Sequence, residues 1–386
     1  MSKKKTQSKT VRKELLRPVK RLVVKAGSGV LTGKNGLNMR VINDLTNDIC
    51  GLRRKGIEVI LVSSGAVASG LKKIGLARRP ESMSKLQAIA AVGQSSLMMA
   101  YEKAFGRHRQ KVAQILITRD DLNNRRRYLN ARNTILTLLS WNIVPIINEN
   151  DTVVVDELKF GDNDNLSAMV INLTESHLLI NLTDIDGLFD MDPRTNKDAR
   201  LIPRIEKVNR GVMRYASSIP GFLGTGGMAS KIKAARKASL GGVPTIIANG
   251  FKQGVLKEIF SGKEIGTLFM PQETALCGRK HWIAFTRSTK GTLIIDKGAG
   301  DAIREKGKSL LPSGIKEVRG GFSQGDSVVL RDEDNRELAV GMVNYQSGDI
   351  KKIMGLKSTE IESMLGYKHD DEVIHRDNLV LTDCME

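Results

Sequence analysis

Phe160-Gly161-Asp162-Asn163-Asp164-Asn165-Leu166-Ser167-Ala168-Met169 packs two carboxylates and two amides between a glycine turn and an apolar helical run. The plain reading is a solvated loop capping a helix over Leu166 to Leu173, because Asp and Asn stop strands and satisfy free helix N–H groups. A cap needs one such residue. Four in a row, with Asn148-Glu149-Asn150-Asp151 a few residues upstream, suit a site that holds an ammonium group, positions lysines or organises a metal-bound phosphate.

Outward from this stretch the chain alternates strand and helix patterns. Ile143 to Ile147 is a buried strand that delivers Asn148 to Asp151 at its C-terminal end. His177 to Leu182 is another, ending in Thr183-Asp184, and open α/β sheets bind ligands at such strand ends. At the front, Arg21 to Ala26 is β-branched and breaks into Gly27-Ser28-Gly29, with Lys25 at the strand's end. A lysine there either snorkels from an edge or binds phosphate. Helical spacing runs from Asn38 to Lys55, and a strand over Glu58 to Val62 feeds the small-residue loop Ser63-Ser64-Gly65-Ala66, suited to anion binding at a helix start. Leu86 to Phe105 and Tyr128 to Trp141 read as helices, and Val112 to Thr118 and Val243 to Ala248 as strands.

The run Gly224-Thr225-Gly226-Gly227-Met228-Ala229-Ser230-Lys231 fits the dinucleotide template G-x-G-x-x-G/A, but the acid that template requires about 20 residues later is missing. What survives is a phosphate cradle: glycine N–H groups at a helix start with Lys231 in its first turns. A Walker A sequence is also missing, so nucleotide use rests on another fold. Lys25 and Lys231 on separate phosphate-compatible segments, with the carboxylates between them, suggest phosphoryl transfer, in which catalysis is mainly positioning and cationic stabilisation.

Composition fits a multi-domain globular protein: 386 residues, 40% apolar. Residues 1–20 carry eight basic residues against Glu14 without an apolar core, which predicts a basic disordered extension rather than a secretory signal. Cys50, Cys277 and Cys384 lack zinc spacing, so reduced thiols in the cytoplasm are expected, with no membrane span. The formal charge of +19 points to polyanions, yet Lys290 to Asp370 balances thirteen basic against thirteen acidic residues, so the excess lies upstream. From about Ala275 the pattern changes to short strands between glycine turns, including Gly291 to Ile295, Ser327 to Leu330 and Leu338 to Tyr345. The expected organisation is therefore a main α/β domain over 21–275, a linker over 276–289, a small β-rich domain over 290–370 and a tail over 371–386.

Several of these segments, in order, resemble the amino acid kinases, and within them the branch acting on free glutamate. They are Val23-Val-Lys25-x-Gly27, Val62-Ser-Ser64-Gly-Ala66, Asn148-Glu-Asn-Asp151, Phe160 to Ala168, Leu182-Thr-Asp184-x-x-Gly187-Leu188, Gly224 to Met228 and Ser309-Leu-Leu-Pro-Ser-Gly-Ile315. The resemblance implies an αβα sandwich with an open, mainly parallel sheet, followed by a domain similar to the PUA modules of RNA-modifying enzymes. It implies ATP and magnesium as cofactors, and phosphorylation of the γ-carboxylate of L-glutamate as the opening step of proline biosynthesis.

By the same resemblance, Lys25 and Lys231 neutralise the phosphoryl group and Asp164 orients them. Ser64, Asn148, Asp151, Asp162 and Asn163 form the glutamate pocket, while Lys25, Thr183, Asp184 and Thr225, Gly226, Gly227, Met228, Ala229, Ser230 and Lys231 form the ATP site. Gly29 departs from the pattern, in which Ser or Thr is common. Self-association, supported by the apolar face Leu97, Met98, Met99, and feedback by proline are expected alongside. The competing readings are a kinase of another small acid and an RNA-binding protein, the latter disfavoured by the neutral, aromatic-poor C-terminal segment.

Overall fold

The computed structural model describes residues 11–33, 36–76, 78–153, 163–217, 227–272 and 289–382, and the chain divides into two compact units, Met1–Ala275 and Leu276–Glu386.

In the first unit the elements run α1 (11–16), β1 (Arg21–Ala26), α2 (Ser28–Leu31), a small ladder of β2 (Thr32–Gly33) and β3 (Gly36–Leu37), α3 (Met39–Arg53), β4 (Glu58–Ser63), α4 (Ala66–Ile74) and α5 (Met83–Gly106). They continue with β5 (Val112–Ile117), α6 (Arg119–Asn123), α7 (Arg125–Ser140), β6 (Val144–Glu149), α8 (Asn163–Thr174), β7 (Leu178–Thr183) and β8 (Arg204–Ile205). The unit closes with α9 (Arg210–Ser217), α10 (Met228–Leu240), β9 (Thr245–Asn249), α11 (Val255–Phe260) and β10 (Thr267–Phe269).

One eight-stranded sheet has the order β5-β6-β4-β1-β7-β9-β10-β8. Neighbours are parallel except for the antiparallel pair β9 and β10. Central strands of such a sheet are buried on both faces, which is why they read as nearly unbroken apolar runs. Leu22, Val24, Ala26, Val59, Leu61, Ile180 and Leu182 form one core with α3, α5 and α11. Alternation along a strand then turns Val23, Lys25 and Asn181 to the opposite face, where α8 and α10 pack. The chain proceeds from central β1 to β4 on one side and later to β7 on the other, so the strand order reverses at β1. Ligands of open α/β sheets bind outside the carboxyl ends of strands at that kind of reversal.

The second unit holds a five-stranded sheet in the order β12-β11-β13-β14-β15, from β11 (Thr289–Ile295), β12 (Ile315–Gly320), β13 (Ser327–Arg331), β14 (Glu337–Met342) and β15 (Leu379–Leu381). Its helices are α12 (Lys297–Lys306), α13 (Ser347–Ile353) and α14 (Ile361–Leu365), and its own core includes Leu293, Leu330, Tyr345, Ile350 and Ile374.

Three expectations change. The disordered extension over 1–20 does not describe residues 11–20. There α1 anchors Arg12, 2% exposed, whose guanidinium donates to the carbonyls of Ile265 (2.6 Å), Lys263 (3.1 Å), Gly266 (3.3 Å) and Pro203 (3.4 Å). The tail over 371–386 is also too long, because Leu379–Leu381 pairs with β14. The polar stretch is no loop at its end: α8 begins at Asn163, not Leu166, since acids and amides in a first turn suit the free N–H groups and the helix dipole. Residues 1–10 and 276–288 lie outside the described residues. No helix among the described residues is long and apolar enough to cross a membrane.

Candidate active site

Five strands of the sheet end in polar residues: Lys25 near the end of β1, Ser63 and Ser64 at β4, Asn148 and Glu149 at β6, Thr183 at β7 and Asn249 at β9. Parallel pairing aligns these ends along one edge of the sheet. Lys25 stands opposite Val62 on β4 and Asn181 on β7.

The central feature is Asp164, in the first turn of α8 and 2% exposed. Its Oδ1 accepts from Lys25 Nζ at 2.5 Å and from Asn181 Nδ2 at 3.0 Å. Its Oδ2 accepts from Ser230 Oγ at 2.5 Å and from Lys231 Nζ at 3.3 Å. Burial alone would push this carboxyl up, but the ammonium charges of Lys25 and Lys231, with hydrogen bonds from Lys25 and Ser230, hold it well below the usual carboxylate range. Asp164 is thus an anion at any pH near neutrality, flanked by two cations drawn from β1 and α10. Ser167 Oγ, donating to the Asp164 carbonyl at 2.6 Å, fixes the turn that carries it.

Two helix starts face this cluster. Gly27 caps α2 immediately after β1, and a Cβ there would lie 3.3 Å from Lys25 Nζ, so the absence of a side chain leaves the ammonium its space. Gly227 caps α10, which carries Ser230 and Lys231 on its first turn. Asp184 lies near the first of these turns: a Cβ on Gly29 would meet only its Cγ, at 4.0 Å. The unusual Gly29 is therefore not sterically required. Thr183 Oγ1 donates to Asp184 at 3.0 Å. Met228 is buried against Ile232 and Phe269, so only its main chain is left to face a nucleotide. Thr225, Gly226 and Asp162 lie outside the described residues.

A second cluster adjoins the first through Asn163, the neighbour of Asp164. Asn163 Nδ2 donates to Ser64 Oγ (2.8 Å) and Asn148 Oδ1 (2.9 Å), and Asn148 Nδ2 donates to Gln94 Oε1 on α5 (2.8 Å). Two buried polar atoms here, Asn163 Oδ1 and Gln94 Nε2, have no hydrogen-bond partner among the described residues, and neither has Asp151 Oδ1, three residues beyond Asn148. Buried polar atoms are normally satisfied, so a group of orphans marks where a polar ligand docks. Burial, reinforced by the Glu149 carboxylate and opposed by Arg79, pushes the Asp151 carboxyl up to about 7. An arriving ammonium group would reverse that.

Of the residues expected from the sequence, Lys25, Lys231 and Asp164 meet in one cluster and Ser64, Asn148 and Asn163 in the other, with Asp151 three residues beyond Asn148. Sequence reading passed over Asn181, whose signal was an amide inside an apolar strand, and Gln94, which shares α5 with the methionines. Leu97 belongs to the core, and of the apolar face on α5 Met99 is the exposed member at 67%. Among the described residues no three carboxylate, imidazole or thiolate groups gather to hold a metal ion.

Family models match residues 20–249 as the amino acid kinase family and residues 291–365 as a PUA domain. Among curated relatives, the glutamate 5-kinase of Geobacter metallireducens is 54% identical over 372 residues and that of Geobacter sulfurreducens 53% over 372 residues. The glutamate 5-kinase of Syntrophotalea carbinolica is 51% identical over 371 residues, and each of the three alignments covers 96% of this chain and 100% of the relative. The chain belongs to the amino acid kinase family, among the glutamate 5-kinases that carry a C-terminal PUA domain.

Proposed function

We propose that the enzyme transfers the γ-phosphoryl group of ATP to the γ-carboxylate of L-glutamate, with Lys25 and Lys231 stabilising the group in flight and Asp164 aiming them. The observation that carries this reading is the meeting of two lysines, from β1 and α10, on one buried carboxylate at the reversal point of the sheet. Phosphoryl transfer needs little else from a protein than such positioned charge. The attacking carboxylate is already ionised at neutral pH, so no general base is required. The task is to bring two anions together.

Glutamate fits the second cluster. Its ammonium group would meet Asp151 and Asn163 Oδ1, and its carboxylates the Ser64 hydroxyl and the Gln94 amide, using the orphaned atoms. ATP would lie over the first turns of α2 and α10, whose leading N–H groups precede the first intrahelical bonds, with Thr183 and Asp184 beside it. Magnesium supplies charge neutralisation on the phosphates when bound. With Asp164 engaged by its four donors, magnesium is assigned to the ATP phosphates themselves.

ADP release measured with magnesium, ATP and a panel of L-glutamate, L-aspartate, N-acetylglutamate and carbamate tests the assignment. Turnover is expected with L-glutamate well above the others. A preference for a different acid would overturn it.

A further inference from the structure

The strand β7 reads Leu178-Leu179-Ile180-Asn181-Leu182, apolar except at one position. Asn181 is fully buried, in register with Lys25 on β1, and spends its Nδ2 on Asp164 Oδ1 at 3.0 Å while its own Oδ1 finds no donor among the described residues. An amide placed so deep with its oxygen unpaired is unfavourable for folding, and leucine would suit the strand better. Its return lies in the site.

Four donors share the two oxygens of Asp164. Two are the lysine ammonium groups, on flexible stems. The other two are neutral and short: Asn181 from the middle of the sheet and Ser230 from the first turn of α10. The lysines must turn toward phosphoryl oxygens during transfer, and they then grip the carboxylate less. The neutral donors do not move with the reaction.

We propose that Asn181 is a positioning residue for phosphoryl transfer, holding Oδ1 of Asp164 in place from the sheet while Lys25 swings between that oxygen and the transferring group. The inference rests on the catalytic reading of the two lysines given above. It predicts a role in turnover and none in substrate affinity, since Asn181 lies in the sheet and bonds Asp164, with no bond to Ser64, Asn148, Asn163 or Gln94.

Three variants of the full-length enzyme test it. Asn181→Leu removes the donor and is expected to lower kcat by about tenfold or more, as for loss of a hydrogen bond to a charged group, with both KM values within about twofold of the parent. Asn181→Asp adds a second carboxyl facing Asp164 of α8, Lys25 of β1 and Lys231 of α10. Its protonated form can donate to Asp164 and its ionised form cannot, so kcat is retained on the acid side and falls as pH rises, a titration the parent lacks. A purely structural role would change thermal stability without creating that profile.

A folded Asn181→Leu enzyme with kcat within about twofold of the parent overturns the inference. Should Asn181→Leu fail to fold, Asn181→Asp decides: alkaline loss supports the proposal, and a pH profile superimposable on the parent's overturns it. Lys25→Ala is assayed in parallel. Full turnover in Lys25→Ala removes the catalytic reading itself, whereas an inactive Lys25→Ala beside a parent-like Asn181→Leu removes the role of Asn181 alone.

Discussion

Lys25 Nζ lies 2.5 Å from Asp164 Oδ1, a contact between the end of the first strand and the start of a helix 139 positions later. Both side chains are withdrawn from water, at 6% and 2% exposure, and Lys231 approaches the other oxygen of the same carboxylate. One carboxylate thereby holds two lysine side chains in a buried site, the arrangement that the proposed phosphoryl transfer calls for.

Removing that anion should damage fold and chemistry together. Asp164→Asn takes from two buried ammonium groups the carboxylate they share, and breaking buried pairs costs about 3–5 kcal/mol. Denaturant unfolding is expected to show a loss of that order, along with a collapse of turnover. The pH dependence has a definite sign. Because Asp164 is held below the usual range in the folded state, its contribution is complete at neutral pH and is lost as pH falls below the ordinary carboxylate range. The acid limb of the parent's stability curve should therefore be steeper than that of Asp164→Asn.

The two lysines should behave differently from pocket residues. Lys25→Ala and Lys231→Ala are each expected to lower kcat by about a hundredfold or more while KM for glutamate changes little, because their interactions grow in the transition state. Steady-state kinetics separates the two effects. Near-normal kcat in either variant would take that lysine out of the mechanism.

Asp151 gives a pH signature in substrate binding. Burial and Glu149 push its carboxyl up to about 7, so raising pH from 6 to 8 should ionise it and lower KM for glutamate, whose ammonium group it would face. In the folded chain it holds a proton that the unfolded chain has released above about pH 4, so its burial costs stability progressively between about pH 4 and 7. Asp151→Asn should flatten both dependences and raise KM. A KM profile unchanged by that substitution would separate Asp151 from the amino group.

The pocket also depends on a close helix crossing. A Cβ added to Gly93 on α5 would lie 1.8 Å from the Ala66 carbonyl oxygen, and one added to Gly70 on α4 would lie 1.9 Å from that of Ile89. These are backbone obstacles and cannot rotate away. Gly93→Ala must push α4 outward, and Ser64 with it, since Ser64 is separated from the start of α4 by Gly65 alone. A loss of about 1–3 kcal/mol in stability and a raised KM for glutamate are expected. Thermal unfolding and kinetics on the same preparation check both.

Arg12 fastens α1 to the carbonyls around β10. Arg12→Ala would strand those acceptors in a buried place, with an expected cost of about 2–4 kcal/mol by denaturant unfolding. Equal stability of parent and variant would mean that water replaces the guanidinium.

Local chemistry reached the order of the elements because buried parallel strands are apolar runs and their polar ends stand out. Asn38, read as the start of a helix, is the N-cap of α3, its side chain accepting from Val41 N–H. Strands β12 and β15 escaped, the first because Lys316 and Glu317 together separate Ile315 from Val318 and break the period of two, the second because three residues carry too little pattern. Residues 11–16 looked like part of a basic tail, since nothing local says that one arginine of many will find four carbonyls from 191 to 254 positions away.

By itself, the sequence determined the alternation of strand and helix, the polar strand ends and the supply of lysines, acids and amides near them, since these depend on neighbours within a few residues. Only the tertiary structure decided that Lys25, Asn181, Ser230 and Lys231 share the two oxygens of Asp164, and that Gln94 reaches Asn148 from a distant helix. Such meetings are set by strand order and helix packing, whose partners are scattered along the chain and leave no local mark.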